Sequence, residues 1–339
     1  MFINGTGAVS PAGWGVASLQ EAAINNLVQA PQELRRPGWD EPVLVRRVPA
    51  PAVRPPFMNH ARLRRSSSIT HFAVGAALEA LGDRAAKGAE ASTRLGIIFC
   101  VMTGCVNYSR RFYDETLQNP ATASPLVFPE TVFNAPSSHL ASLLGAQGMN
   151  YTLVGDPGTF LQGLALAADW LVQDLMDGCL VIGAEEAEWL AVDAYRLIAP
   201  QVILGEGAGA LYLSRDEPAG AAAELKLVTN SHLFFSRSSR VEAARQAMAQ
   251  LPNDPANDLL VDGLQGISRL DEAEETVWKK WRGPRLSPRK VLGEGLMAAA
   301  AWQCVLAAEA VTRGLTQAVN VSVIGCNQQA IGARFGRSK

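Results

Sequence analysis

Short apolar runs of strand length alternate with longer stretches whose apolar residues recur every three or four positions. Residues 94–101 predict a buried strand ending at Thr103-Gly104, and Tyr151–Val154 a second strand followed by the turn Gly155-Asp156-Pro157-Gly158. A helix is expected over Thr159–Met176, with Leu161, Leu164, Trp170, Leu171 and Leu175 at helical spacing. Strands follow at Cys179–Gly183 and Ala210–Leu213, the latter entered through Gly205-Glu206-Gly207-Ala208-Gly209. Residues 216–224 lose the pattern to Pro, Gly and Ala, which places a boundary there and divides the chain into halves 1–216 and 224–339. The second half repeats the plan more briefly. Strands are expected at Leu225–Val228 and Leu259–Val261, helices at Leu270–Trp281 and Leu296–Thr312, and a closing strand at Val319–Ile324. Such alternation predicts layered α/β architecture. The run Ala298–Ala301 predicts a helix packed closely on all sides, as in a central layer.

Composition narrows the function classes. Hydrophobic residues at 48% and charged residues at 18% exclude a disordered chain. A net charge of -2 gives no general attraction to nucleic acid or anionic membrane. The run from Leu296 to Ala308 falls short of a bilayer span, and the start Met1–Gly5 lacks a signal-peptide pattern. Five cysteines without a CxxC pair or a nearby His at zinc spacing fit a reducing, cytoplasmic compartment and no metal site.

The motifs carry little chemistry singly. Gly5-Thr6-Gly7-Ala8-Val9-Ser10 and Gly205–Ala210 suggest dinucleotide loops, but the second leads into a strand, so no helix N-terminus faces a pyrophosphate; tight backbone turns are expected, and no cofactor. The histidines are scattered, with structural roles expected for His71 and His139. The basic run Arg62–Arg65 reads as a solvated face or a contact for an anionic partner loop.

The order of segments, by contrast, resembles the β-ketoacyl-ACP synthases. Gly5–Pro11, Leu63–Ser66, Pro125–Pro129, Asn134–Pro136, Gly178–Glu185, Gly205–Gly209, Asp271–Glu274, Ser287–Lys290 and Gly325–Asn327 follow the family's sequence of blocks over nearly the whole chain. The resemblance implies a thiolase fold, a layered αβαβα core from two pseudo-duplicated halves. It also implies a nucleophilic Cys at the turn before a helix and two His that promote decarboxylation and stabilise an oxyanion. Here those positions fall, within one residue for the first, at Pro157, Gly263 and Glu294. The family's Lys and helix carboxylate match Lys290 and Glu274, expected to survive as an ion pair supporting the fold. Asp156-Pro157 suits a capped helix start, and Glu294 suits the first turn of the Ala-rich helix. A carboxylate cannot donate to an oxyanion unless protonated, so Glu294 is a poor stand-in for His.

A member without its reaction centre resembles a chain-length factor. The resemblance then implies a heterodimer with an active ketosynthase, an acyl carrier protein as further partner, and a share in walling the acyl tunnel of polyketide, fatty-acid-like or aryl polyene assembly. Tyr151, Thr152, Leu153 and Val154 would form the strand pairing across the dimer axis. A loop-rich segment, 108–133, would reach the partner, with Tyr108, Phe112, Leu117, Phe128 and Phe133 as tunnel or interface residues. Two rivals stay open: an atypical acyltransferase, decarboxylase or synthase using Cys105, Thr159 or Asp156 as nucleophile, and a homodimeric acyl-binding protein.

Overall fold

The structure, a computed structural model, describes residues 1–87, 94–218, 220–252, 254 and 256–338. Ala219, in the expected boundary stretch, lies outside the described residues. Ten strands form the main path of a twelve-stranded principal sheet, which the short strands Gly13–Trp14 and His232–Leu233 complete: β1 (Phe2–Ser10), β2 (Leu95–Val101), β3 (Asn150–Val154), β4 (Gly178–Glu185), β5 (Gly207–Ser214), β6 (Ala223–Val228), β7 (Asp258–Val261), β8 (Arg285–Leu286), β9 (Ala318–Ile324) and β10 (Gln329–Arg337). They run in the order β8-β7-β9-β10-β6-β1-β5-β4-β2-β3. In each half the third, second, fourth, fifth and first strands follow one another inward from the edge. The fifth is antiparallel to both neighbours, and the second is parallel to the third and fourth. The halves meet where β1 pairs antiparallel with β6, Phe2 opposite Glu224 and Ile3 opposite Ala223.

Helices α1 (Val16–Ile24), α2 (Ser68–Leu81), α3 (Val106–Gln118), α4 (Ala135–Leu144), α5 (Thr159–Val172), α6 (Trp189–Ile198), α7 (Arg237–Met248), α8 (Ser268–Val277), α9 (Pro288–Leu292) and α10 (Met297–Thr312) fill the layers. α2 covers the outer face of the first half, α7 that of the second, and α5 and α10 lie between the two sheet halves. This is the αβαβα layering of the thiolase fold. Four consecutive alanines let α10 sit close against both halves: a Cβ on Gly209 or Gly183 would come within 3.0 Å of Ala301. Trp302, fully buried on this helix, donates Nε1–H to the carbonyls of Val9 and Ala208 at 3.1 and 3.0 Å, so its one polar group is satisfied. Among the described residues no helix is long and apolar enough to cross a membrane.

Several expectations change. Val319–Ile324 is not the closing strand, because β10 follows it; β10 reads poorly as a strand since its Gly and Arg residues break the apolar run. α5 stops at Val172 because Asp174 takes a left-handed conformation, φ 57°. α8 spans Ser268–Val277, short of the expected Trp281. Gly5 and Gly7 form no turn. They lie inside β1, where a Cβ would strike the carbonyl oxygens of Ala80 and Ala76 at 1.8 and 1.9 Å, so they set the close approach of α2.

Candidate functional site

The turn between β3 and α5 holds the position expected for a nucleophile. Pro157 is buried there and offers no reactive atom. Asp156, 1% exposed, caps less of α5 than expected. Its Oδ1 accepts the Gly158 amide at 3.2 Å, while its other partners come from the β9–β10 connection. The backbone amides of Gln328 and Gln329 each donate to Oδ2 at 3.2 Å, and Gln329 Nε2 donates to Oδ1 at 3.0 Å. Gly325 is packed so tightly on this carboxylate that a Cβ there would lie 1.8 Å from Oδ2. The turn is therefore latched to the second half of the molecule. Thr159 is buried as well, and Gln329 Nε2 donates to its Oγ1 at 3.4 Å.

The two positions expected for His lie in a buried charged cluster. Gly263 is buried, and a Cβ on it would meet Glu274 Oε2 at 3.2 Å and Arg289 Nη1 at 3.5 Å. The space an imidazole would need is filled by a carboxyl and a guanidinium. Glu294 precedes α10 instead of lying in its first turn: Oε1 accepts the Leu296 amide at 2.8 Å, and Oε2 accepts Gln265 Nε2 at 2.9 Å and Arg289 Nη1 at 3.2 Å. Every atom of that carboxylate is engaged as an acceptor. Asp271, at the start of α8, accepts the amides of Gln265, Gly266 and Ile267 at 2.8–3.0 Å and fixes the loop that carries Gln265.

The expected Lys290–Glu274 ion pair is not present. Lys290 is exposed, and its neighbour Arg289, 4% exposed, is the cation turned into the cluster. Burial first, then the charge of Asp262, pushes the Glu274 carboxyl up to about 8. Asp262 itself is paired with Arg285 Nε at 2.8 Å and accepts Ser287 Oγ at 2.7 Å. A one-residue shift in which basic side chain faces inward thus replaces a lysine by a fork of donors.

A cavity of about 130 Å³ adjoins the cluster, lined among others by Arg289, Arg240, Glu294, Tyr195, Cys326 and Met102. Cys326 does not offer a reactive thiolate, since burial pushes its thiol up to about 11. Cys105, at the N-terminus of α3, is 2% exposed; burial, opposed by a hydrogen bond from Ser67 and reinforced by Glu186, Glu130 and Glu185, pushes it up to about 12. Its position at a helix start does not compensate for the loss of water. Two further carboxyls, Glu185 and Glu186, are pushed up to about 7 chiefly by burial. Glu185 accepts the amides of Met102 and Thr103 at 2.5 and 3.1 Å, holding the turn that enters Cys105.

Among the described residues, β3 is the last strand of the sheet and pairs with β2 alone. Its other edge is open, Thr152 and Leu153 are half-buried, and Tyr151 and Val154 are 50% and 54% exposed. The segment before it is not loop-rich at its start, because α3 occupies 106–118 with an amphipathic pattern. Tyr108 donates its hydroxyl to the Arg65 carbonyl, which ties α3 to the start of α2. Phe112 and Phe128 pack with ring centroids 5.3 Å apart, and Phe133 lies over Gly104 so closely that a Cβ there would overlap its ring. Leu117, Phe128 and Phe133 remain exposed. His71 and His139 have structural partners, the Leu63 carbonyl at 2.9 Å and Glu130 Oε1 at 2.8 Å.

Sequence signals for the Asp156 latch and the Arg289 fork were present only as a buried-looking acid beside Pro and as two adjacent basic residues. Neither reveals its partner before the halves are brought together.

No family model matches the chain, and no curated protein matches it. Solved structures do. A chain of the ishigamide ketosynthase/chain length factor aligns with a TM-score of 0.79 at 19% identity, covering 99% of this chain and 98% of that one. The ketosynthase ApeO in complex with its chain length factor ApeC from Xenorhabdus doucetiae gives 0.80 at 16% identity, with coverage of 99% and 98%. A β-ketoacyl synthase from Burkholderia phymatum gives 0.76 at 16% identity, covering 100% and 99%. From end to end, the chain has the fold of the ketosynthases and of the complexes they form with chain length factors.

Proposed function

We propose that this protein is a catalytically silent ketosynthase-like subunit, a chain-length factor. It pairs through β3 with an active ketosynthase and helps wall the path of an acyl chain delivered on an acyl carrier protein. The observation that carries this reading is the chemistry at the three expected catalytic positions: a buried proline, a glycine filled over by Glu274 and Arg289, and a carboxylate with both oxygens occupied. None can act as a thiolate, a neutral imidazole donor or a general base of the required kind. The open edge of β3 supports a partner subunit, because an unpaired strand edge with exposed apolar side chains is normally covered. The titles of two related solved structures name such pairs, a ketosynthase with a chain length factor. A polyene or fatty-acid-like product belongs to the same proposal.

A substitute nucleophile has less support. Cys105 and Cys326 are held as thiols, Thr159 is buried, and Asp156 is consumed by its latch. Co-expression of the full chain with a ketosynthase that has an intact Cys and two His tests the reading. A stable one-to-one complex that extends malonyl units, with the chain alone inert toward malonyl carrier protein, is the expected result. Turnover by the chain alone, or a homodimer indifferent to the partner, would overturn it.

A further inference from the structure

The cavity beside the vestigial catalytic positions carries more positive than negative charge. Two guanidiniums, Arg289 and Arg240, line it together with one carboxylate, Glu294. Glu294 engages only Nη1 of Arg289, and Arg289 Nε and Nη2 are buried with no hydrogen-bond partner among the described residues. Arg240 Nη2 donates to the Gly325 carbonyl at 3.2 Å, but its Nε is likewise buried and unpartnered. Arg240 is held below the usual arginine range by burial and then by the neighbouring Arg289, a sign that the two cations repel across the space.

Buried donors without acceptors are rare, and a buried guanidinium lacking a full anionic complement costs several kcal/mol. Water could accept from these N–H groups, yet it would leave the charge uncompensated. Chemistry and size agree on the missing component. We propose that this cavity is a binding site for one small organic carboxylate, whose two oxygens accept from Arg289 and Arg240. A cavity of about 150 Å³ holds benzene, so about 130 Å³ suits a ligand between acetate and malonate in size. Met102, Val202, Leu270 and Ile324, also in the lining, supply an apolar surface for its carbon atoms. The planar fork of arginine matches a carboxylate better than it matches a spherical ion. This site stands whether or not the chain pairs with a ketosynthase, because the lining comes from one polypeptide.

Calorimetric titration of the full chain with sodium acetate and sodium malonate, against sodium chloride and the neutral isostere acetamide, tests the proposal. One saturable site for a carboxylate, none for acetamide, and a loss of about tenfold or more in affinity in Arg289→Gln and Arg240→Gln are expected. Arg289→Gln strips Glu294 of its cation, so circular dichroism must first show it folded; otherwise the partly exposed Arg240 carries the test through Arg240→Gln alone. No saturable carboxylate binding by the wild-type chain, chloride displacing the carboxylate at equal concentration, or unchanged affinity in folded Arg240→Gln would each overturn it.

Discussion

Asp156 and Gln329, 173 residues apart in sequence, meet at 3.0 Å between Oδ1 and Nε2 and join the nucleophile turn of the first half to the β9–β10 connection of the second. Because the same carboxylate also accepts the Gly158, Gln328 and Gln329 amides, its removal takes an acceptor from four donors at once. Asp156→Ala is expected to destabilise the chain by on the order of 3 kcal/mol. Asp156→Asn, which keeps one acceptor oxygen, should cost less. Urea midpoints measure both, and an unchanged midpoint for Asp156→Ala would remove the latch from the account.

A thiol can be restored at the turn without restoring the reaction. Pro157→Cys would place a sulfur before α5, but Gly263 and Glu294 still supply no imidazole. The expected variant carries a thiol at the turn, yet it does not decarboxylate malonyl carrier protein. Measurable decarboxylation by this single variant would show that the silent centre retains catalytic groups that the geometry does not reveal.

The strands built on runs of apolar residues, such as β2 and the Cys179–Ile182 stretch of β4, were legible because a fully buried strand needs side chains of that kind on both faces. β10 was not, because its arginine at position 334 is admitted to the sheet by Asp258 at 2.7 Å and Asn320 at 2.9 Å, partners from β7 and β9, and by the Pro252 carbonyl at 2.9 Å. α7 was missed for a related reason. Its exposed Arg237, Ser238, Glu242 and Arg245 hide a narrow alanine stripe, leaving the Ser236–Ser239 capping box as its one local signal. The inward turn of Arg289 in place of Lys290 lies below the resolution of any periodicity argument, since adjacent residues on a five-residue helix differ only by what the rest of the fold presents to them.

Three buried carboxyls make stability fall as pH rises. Glu185 and Glu186 sit near 7 and Glu274 near 8 in the folded chain, above their usual value of 4.5. Between about 4.5 and 8 the folded state binds more protons than the unfolded chain, so the favourable contribution is complete below that window and lost across it. The melting temperature should decline from acid toward alkaline pH and level off above about 8. Glu274→Gln, a neutral stand-in for the protonated acid, is expected to flatten the upper part of this decline. A variant with the wild-type slope would separate Glu274 from the effect.

The open edge of β3 gives a test of partner docking that spares the fold. Val154 is 54% exposed and packs on nothing that the core requires. Val154→Asp should leave the melting temperature of the isolated chain nearly unchanged, since surface substitutions usually stay within about 0.5 kcal/mol. In the presence of a ketosynthase it should weaken association by tenfold or more (about 1.4 kcal/mol), because a charge would be buried against the partner strand. Analytical ultracentrifugation reads both quantities, and wild-type association in a folded variant would move the interface away from this edge.

The aromatic residues around α3 have two possible uses, and they can be separated by what happens when each ring is removed. Phe133 covers Gly104, whose φ of 70° and lack of a side chain make room for it, so Phe133→Ala should destabilise the chain itself by opening a gap there. Phe112 and Phe128 pack mainly on each other, and Phe128 is more than half exposed, so their loss should cost the isolated chain little. In a complex with an active ketosynthase, Phe112→Ala and Phe128→Ala are expected to lengthen the product by removing bulk from the end of the acyl path. Mass spectrometry of the released chains measures this directly. Unchanged lengths in assembled complexes of both variants would make the pair interface packing alone.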